Sequence, residues 1–190
     1  MGEDCKKVFE VFLRYAFLFV ILLFGFKIFY SLFFYLTFFS SNFLFRQLFN
    51  TVLVGNTIFL ESLVPIEITG PCVGGAAYSL LLILNLATPG VGLLKRIFSL
   101  LFSFLVFLLV NVLRIFALGV LFYYNSPLFD PLHKLFWYFG STVFVVLIWF
   151  LEVRIFDIEE VPFYSDLKFF YLHSTLRRSS MRGRKRGRKR

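Results

Sequence analysis

The chain has 190 residues, 59% hydrophobic and 22% aromatic, with 30 phenylalanines and a formal charge of +9. That much apolar surface excludes a soluble domain of this length and fits one integral membrane domain. Most of the charge falls in residues 177–190, RRSSMRGRKRGRKR, which reads as a tail on anionic lipid head groups. No aromatic platform or folded basic domain accompanies it, so nucleic acid is not an expected partner.

Taken in order, the chain opens on MGEDCKK, a charged segment that holds Cys5. Cys5 and Cys72 are expected to be two free thiols. The first apolar run is long and no small-residue cleavage site follows it, so it reads as an anchor rather than a signal peptide. The first span is expected within Val8–Phe39. Two registers fit, Tyr15–Phe39 with Lys27 central or Val8–Phe29 with Lys27 snorkelling at its end, and snorkelling is the more economical. Residues 42–56, NFLFRQLFNTVLVGN, carry Arg46, Gln47 and Asn50 among apolar residues and predict an amphipathic interfacial helix. In TIFLESLVPIEIT, alternation about Pro65 predicts two short strands and a turn. Together these make a small lid or platform on the membrane surface.

A short second span is expected over 73–87, closed by Thr88-Pro89-Gly90, and a third over 97–122. After the turn signals Asn125-Ser126-Pro127 and Asp130-Pro131, a fourth runs over 133–153. The expected fold class is therefore an all-α integral membrane protein of about four transmembrane helices with a small extracytoplasmic insert. One catalytic domain spans 1–156, followed by a cytoplasmic basic tail, 157–190.

Basic residues near span ends set the orientation. Lys6, Lys7, Arg14, Lys95, Arg96, Arg154, Lys168 and the tail fall on one side if 42–69 does not cross. That side is the cytoplasm, both termini lie there, and Arg46 and Lys134 are the main basic residues outside. The expected location is the cell membrane.

This topology brings unusual residues to one depth. Cys72 begins the second span on the outer side. Arg114 lies ~17 residues into the third, ~25 Å from its inner end and near the outer face of a ~30 Å core. His133 opens the fourth span. Ionisable groups in such places are costly and functional by default. A thiolate is a nucleophile, and both a helix N-terminus and a nearby cation favour it. His133 is suited to take the thiol proton and return it to a leaving amine. Gly74 and Gly75 leave N–H groups at the helix start as a candidate oxyanion site. Asn111 shares a helix face with Arg114 and is placed to hold the guanidinium or a backbone carbonyl. Small residues at Gly75, Ala76 and Ser79 let another helix approach. Singly, each polar residue has a bland explanation: Cys72 as filler, His133 as an anchor, Arg114 as a snorkelling cation. Tyr78, Asn85 and His173 keep theirs, with Asn85 as helix glue. One Cys and one His are too few ligands for zinc, and no metal or cofactor is expected.

The run PCVGGAAYSLL, then NVLRIFALG, then the loop ending in His133 resembles the exosortase/archaeosortase family, over roughly residues 55–149. The short chain looks more like an archaeal member. The family commonly has Ser or Thr after the Cys, where this chain has Val73; Asn-x-x-Arg is intact. The resemblance implies a membrane cysteine peptidase or transpeptidase with Cys72 as nucleophile and Arg114 and His133 as catalytic partners. Such enzymes cleave exported proteins at a C-terminal sorting signal and pass the product to an acceptor, often a lipid. Two other readings stay open from the residues: an acyltransferase acting on lipid, and a non-enzymatic assembly or transport protein.

Overall fold

The computed structural model describes residues 3–158 except Ser62, Pro89 and Gly90. The basic tail, with Lys168 and His173, lies outside the described residues, as does the side chain of Cys5. The chain forms helix α1 (Glu3–Phe45), strands β1 (Thr51–Val54), β2 (Thr57–Leu60) and β3 (Val64–Glu67), then helices α2 (Gly70–Val73), α3 (Gly75–Ala87) and α4 (Leu93–Tyr123). Helix α5 (Phe129–Leu135) runs through a π-helical turn (Phe136–Gly140) into α6 (Ser141–Ile155).

Three stretches are long and apolar enough to cross a membrane: Phe24–Phe45, Leu93–Tyr123 and Phe129–Ile155. Helix α1 covers both registers expected for the first span and continues beyond them. Past Phe39, Ser41 and Asn42 are buried, as is Thr37 before it, and Asn42 Oδ1 accepts the Thr51 hydroxyl at 2.8 Å. Lys27 is exposed near the start of that stretch. The expected second span is α3, whose 13 residues reach only about 20 Å, short of a ~30 Å hydrocarbon core.

That shortness suits its place between α1 and α4, which it crosses antiparallel. Tyr78 is fully buried, stacked on Phe33 at 3.8 Å and met edge-on by Phe104 and Phe107. Offset and edge-to-face rings lock helices more specifically than aliphatic contact. Gly75 lies so close to α1 that a Cβ there would be 2.7 Å from the Phe26 carbonyl oxygen, and Gly25 is as tightly apposed to Ser79. Of the small residues expected to let a helix approach, Gly75 and Ser79 form the α1 contact, while Ala76 is exposed beside the cavity.

The interfacial helix expected over 42–56 is not formed. Helix α1 ends at Phe45 and Thr51–Val54 is a strand instead. The run TVLV has the β-branched character of a strand, and Gly55, at φ 57°, closes a two-residue hairpin from Val54 to Thr57. A second hairpin turns at residues 61–63, so Pro65 falls inside β3 rather than at the turn. The result is a three-stranded antiparallel sheet, β1-β2-β3, with Ile58 and Leu60 buried toward the helices.

Candidate functional site

Cys72 sits on α2, a single turn wedged between β3 and α3. Pro71 stands in the first turn, where its missing N–H costs nothing. The turn ends at Gly74, whose φ of 77° is left-handed and whose missing Cβ leaves room for Phe107; a Cβ would lie 2.9 Å from that ring. Only glycine meets both demands. The break at Gly74 separates α2 from α3 and turns Cys72 aside from the α3 axis.

Two residues of α4 hold this turn from below. Asn111 is buried and its Nδ2 donates to the carbonyls of Cys72 at 2.8 Å and Val73 at 3.3 Å. Arg114 Nη2 donates to the same Cys72 carbonyl at 3.5 Å, and Nη1 to Ser141 Oγ at 3.4 Å. Arg114 Nε is buried without a partner. The guanidinium therefore bridges the residue that carries the thiol to the start of α6. Asn111 holds the backbone carbonyl, not the guanidinium, one of the two roles open from sequence.

The Cys72 thiol is half-buried and free. Thr69 Oγ1 lies 3.4 Å from its sulfur. Thr69 carried no signal in the sequence beyond its place one turn before the cysteine. Gly74 does not offer its N–H as an oxyanion donor, because that group donates to Gly70 O at 3.3 Å. Gly75 and Ala76, the first residues of α3, remain candidates: they line the cavity beside Cys72, and first-turn N–H groups precede the helix's own ladder.

A cavity of about 500 Å³ joins Cys72, Arg114, His133 and Ser141. All three residues singled out for catalysis line it, on three different helices. They are not at one height. His133 precedes Ser141 by eight residues on a continuous helical run, about 12 Å of rise, and it is exposed, stacked on Phe129 at 5.2 Å and beside Trp137. It is the exposed member of the three, while Cys72 and Arg114 are half-buried. Between the levels runs the π-helical turn, a common place for a helix to be re-aimed at functional sites. Among the described residues, no cluster of three or more His, Cys, Asp or Glu side chains is placed to hold a metal ion.

A second polar cluster lies at the other end of the bundle and was not foreseen. Glu152 is 1% exposed on α6. Its carboxylate accepts Asn85 Nδ2 and Ser103 Oγ, each at 2.5 Å, and Asn85 Nδ2 also reaches Ser99 Oγ at 2.7 Å. Arg96 closes the end of α3 by donating to the carbonyls of Asn85, Leu86 and Thr88.

Comparisons with family models, characterised proteins and solved structures gave no match. The fold is mostly helical, and three of its helical stretches are long and apolar enough to cross a membrane; what the protein does rests on the geometry of its own cavity.

Proposed function

We propose that the protein is a membrane-embedded cysteine peptidase or transpeptidase of the exosortase/archaeosortase kind. One observation carries this reading: a free thiol and a half-buried arginine line one cavity, with the arginine hydrogen-bonded to the cysteine's own carbonyl. Burying a guanidinium among apolar helices is costly, and a bland inter-helix link needs neither a thiol nor a cavity beside it. In the proposed reaction the Cys72 thiolate attacks a peptide carbonyl, Arg114 stabilises the charge, and the C–N bond breaks. The Cys72 thiol gives its proton to His133, and His133 returns that proton to the leaving amine. An acceptor hydroxyl, amine or water then attacks the thioester and releases the thiol. Exported proteins with a C-terminal hydrophobic signal are the proposed substrates and a lipid the proposed acceptor. The cavity faces outward in the orientation that the basic residues favour.

The test is a Cys72→Ala strain of the native host, checked for membrane insertion. Exported proteins that end in a hydrophobic segment and a basic cluster are expected to accumulate with that segment uncleaved. Normal maturation of all of them would remove the peptidase reading.

A further inference from the structure

Among the described residues, strand β3 is an edge, paired only with β2. Its register fixes which backbone groups on the other side are unused. Ile68 N–H donates to Asn56 O at 2.9 Å. Antiparallel ladders alternate, so Ile66 with Ile58 and Val64 with Leu60 are the other hydrogen-bonded pairs. Glu67 opposite Thr57 and Pro65 opposite Phe59 are then the non-bonded pairs, and their main-chain groups point away from β2. The free side of β3 offers the Pro65 carbonyl and the N–H and carbonyl of Glu67. Proline has no N–H to add.

Two observations tie this edge to Cys72. Four consecutive residues, Pro65-Ile66-Glu67-Ile68, line the cavity that holds the thiol. Neighbouring side chains on a strand face opposite ways, so a cavity touched by all four runs along the strand's edge, not over one face. The chain also passes from Glu67 through Thr69 directly into α2 and Cys72, so the edge leads to the thiol.

We infer that the substrate binds as an extended peptide, adding a fourth strand to the free edge of β3 so that its scissile carbonyl is carried past Glu67 to Cys72. This rests on the reading of Cys72 as a nucleophile and adds the mode of recognition. The occupant is a polypeptide because the free groups, acceptor, donor, acceptor, repeat with the two-residue period of a strand; an acyl chain would leave them unpaired. Pro65 ends the ladder after one full pair and one further acceptor, which limits the recognised segment to a few residues and discourages pairing with a second copy. Phe26, Leu118, Phe122 and Trp137 in the wall suit apolar side chains at alternate positions.

The test uses full-length protein in lipid nanodiscs and a pool of tetrapeptidyl chloromethyl ketones bearing small and apolar side chains. The Cys72 sulfur displaces chloride to form a thioether, followed by the mass of the proteolytic peptide that holds Cys72 so that Cys5 is not counted, and chloroacetone calibrates the thiol. The peptide pool is expected to label about tenfold faster than chloroacetone, as one or two main-chain hydrogen bonds would give. N-methylation at alternate positions is expected to cancel that advantage, and at the intervening positions to leave it intact. Equal loss at every position, or no advantage for the peptide pool, overturns the strand-addition inference. The nucleophile reading fails separately, if the chloroacetone rate is the same in wild type and Arg114→Met; the period-two pattern is read from Cys72 labelling in either case.

Discussion

Arg114 is the residue on which the site's chemistry turns, and its geometry distinguishes charge from shape. Its two terminal nitrogens bond different elements, the Cys72 carbonyl on α2 and Ser141 on α6. A lysine ammonium is a single point and cannot span both. In the proposed reaction, Arg114→Lys is expected to lose activity on the order of a hundredfold, like loss of an oxyanion donor, and Arg114→Ala to do no better. Turnover by purified variants in lipid checks this, and a near-normal Lys variant would reduce Arg114 to a bare charge. Gly74 gives an independent test of the turn that presents the thiol. Alanine there must adopt a φ of 77° and meet Phe107 at 2.9 Å. The backbone alone costs about 1–2 kcal/mol. Gly74→Ala is expected to destabilise by at least that much in detergent unfolding, and adding Phe107→Leu to recover only the steric part. The order Cys72, Asn111-x-x-Arg114, His133 was legible because such residues are expensive in apolar runs. Thr69 and Ser141 were not, since hydroxyl residues are ordinary at helix ends and nothing in one dimension says which touches a thiol or a guanidinium.

At the scale of elements, the bundle is fastened at the end away from the cavity by Glu152. Its two acceptors take bonds from α3 and α4, from residues 67 and 49 positions away in the chain. Asn85 as helix glue was legible from its place in an apolar run. Its partner was not, because Glu152 lies two residues before Arg154 and reads as the polar end of a span. Glu152→Leu strands the donors of Asn85 and Ser103 and is expected to cost about 1–2 kcal/mol, at the upper range for polar links between membrane helices. Glu152→Gln keeps an acceptor and is expected to cost less than half of that. Unfolding in mixed detergent measures both, with chloroacetone labelling of Cys72 unchanged at the far end. The sheet shows the opposite limit of sequence reading. The alternation in β2 and β3 was visible, but TVLV is too short to reveal a strand until Gly55 folds it back on β2. The apolar and basic residues just before it gave a false amphipathic period.

At the scale of the whole molecule, the order of the apolar segments was legible, and three of them are long and apolar enough to cross a membrane. Where α1 ends was not legible, because burial is invisible along one helix: Thr37, Ser41 and Asn42 are buried against protein, and the helix runs on to Phe45. Register matters to function because it sets depth. Arg114 lies 21 residues into α4, about 32 Å from its start, while nine residues remain beyond it. The sheet and the α4–α5 loop therefore share one end of the bundle with the cavity, and Lys95, Arg96 and Arg154 lie at the other. In the proposed orientation the first end faces out, and Cys72 lies half-buried in the cavity at that end. A small membrane-impermeant maleimide added to intact cells is expected to label Cys72 and spare Cys5. A maleimide on a polymer too bulky for a cavity of about 500 Å³ is expected to miss Cys72 yet label a Trp137→Cys variant at an exposed position of its wall. Labelling of Cys5 from outside would invert the topology. Equal labelling of Cys72 by both reagents would place the thiol on an open surface, where Arg114 would face water and lose the low-dielectric setting that makes its charge useful to a thiolate.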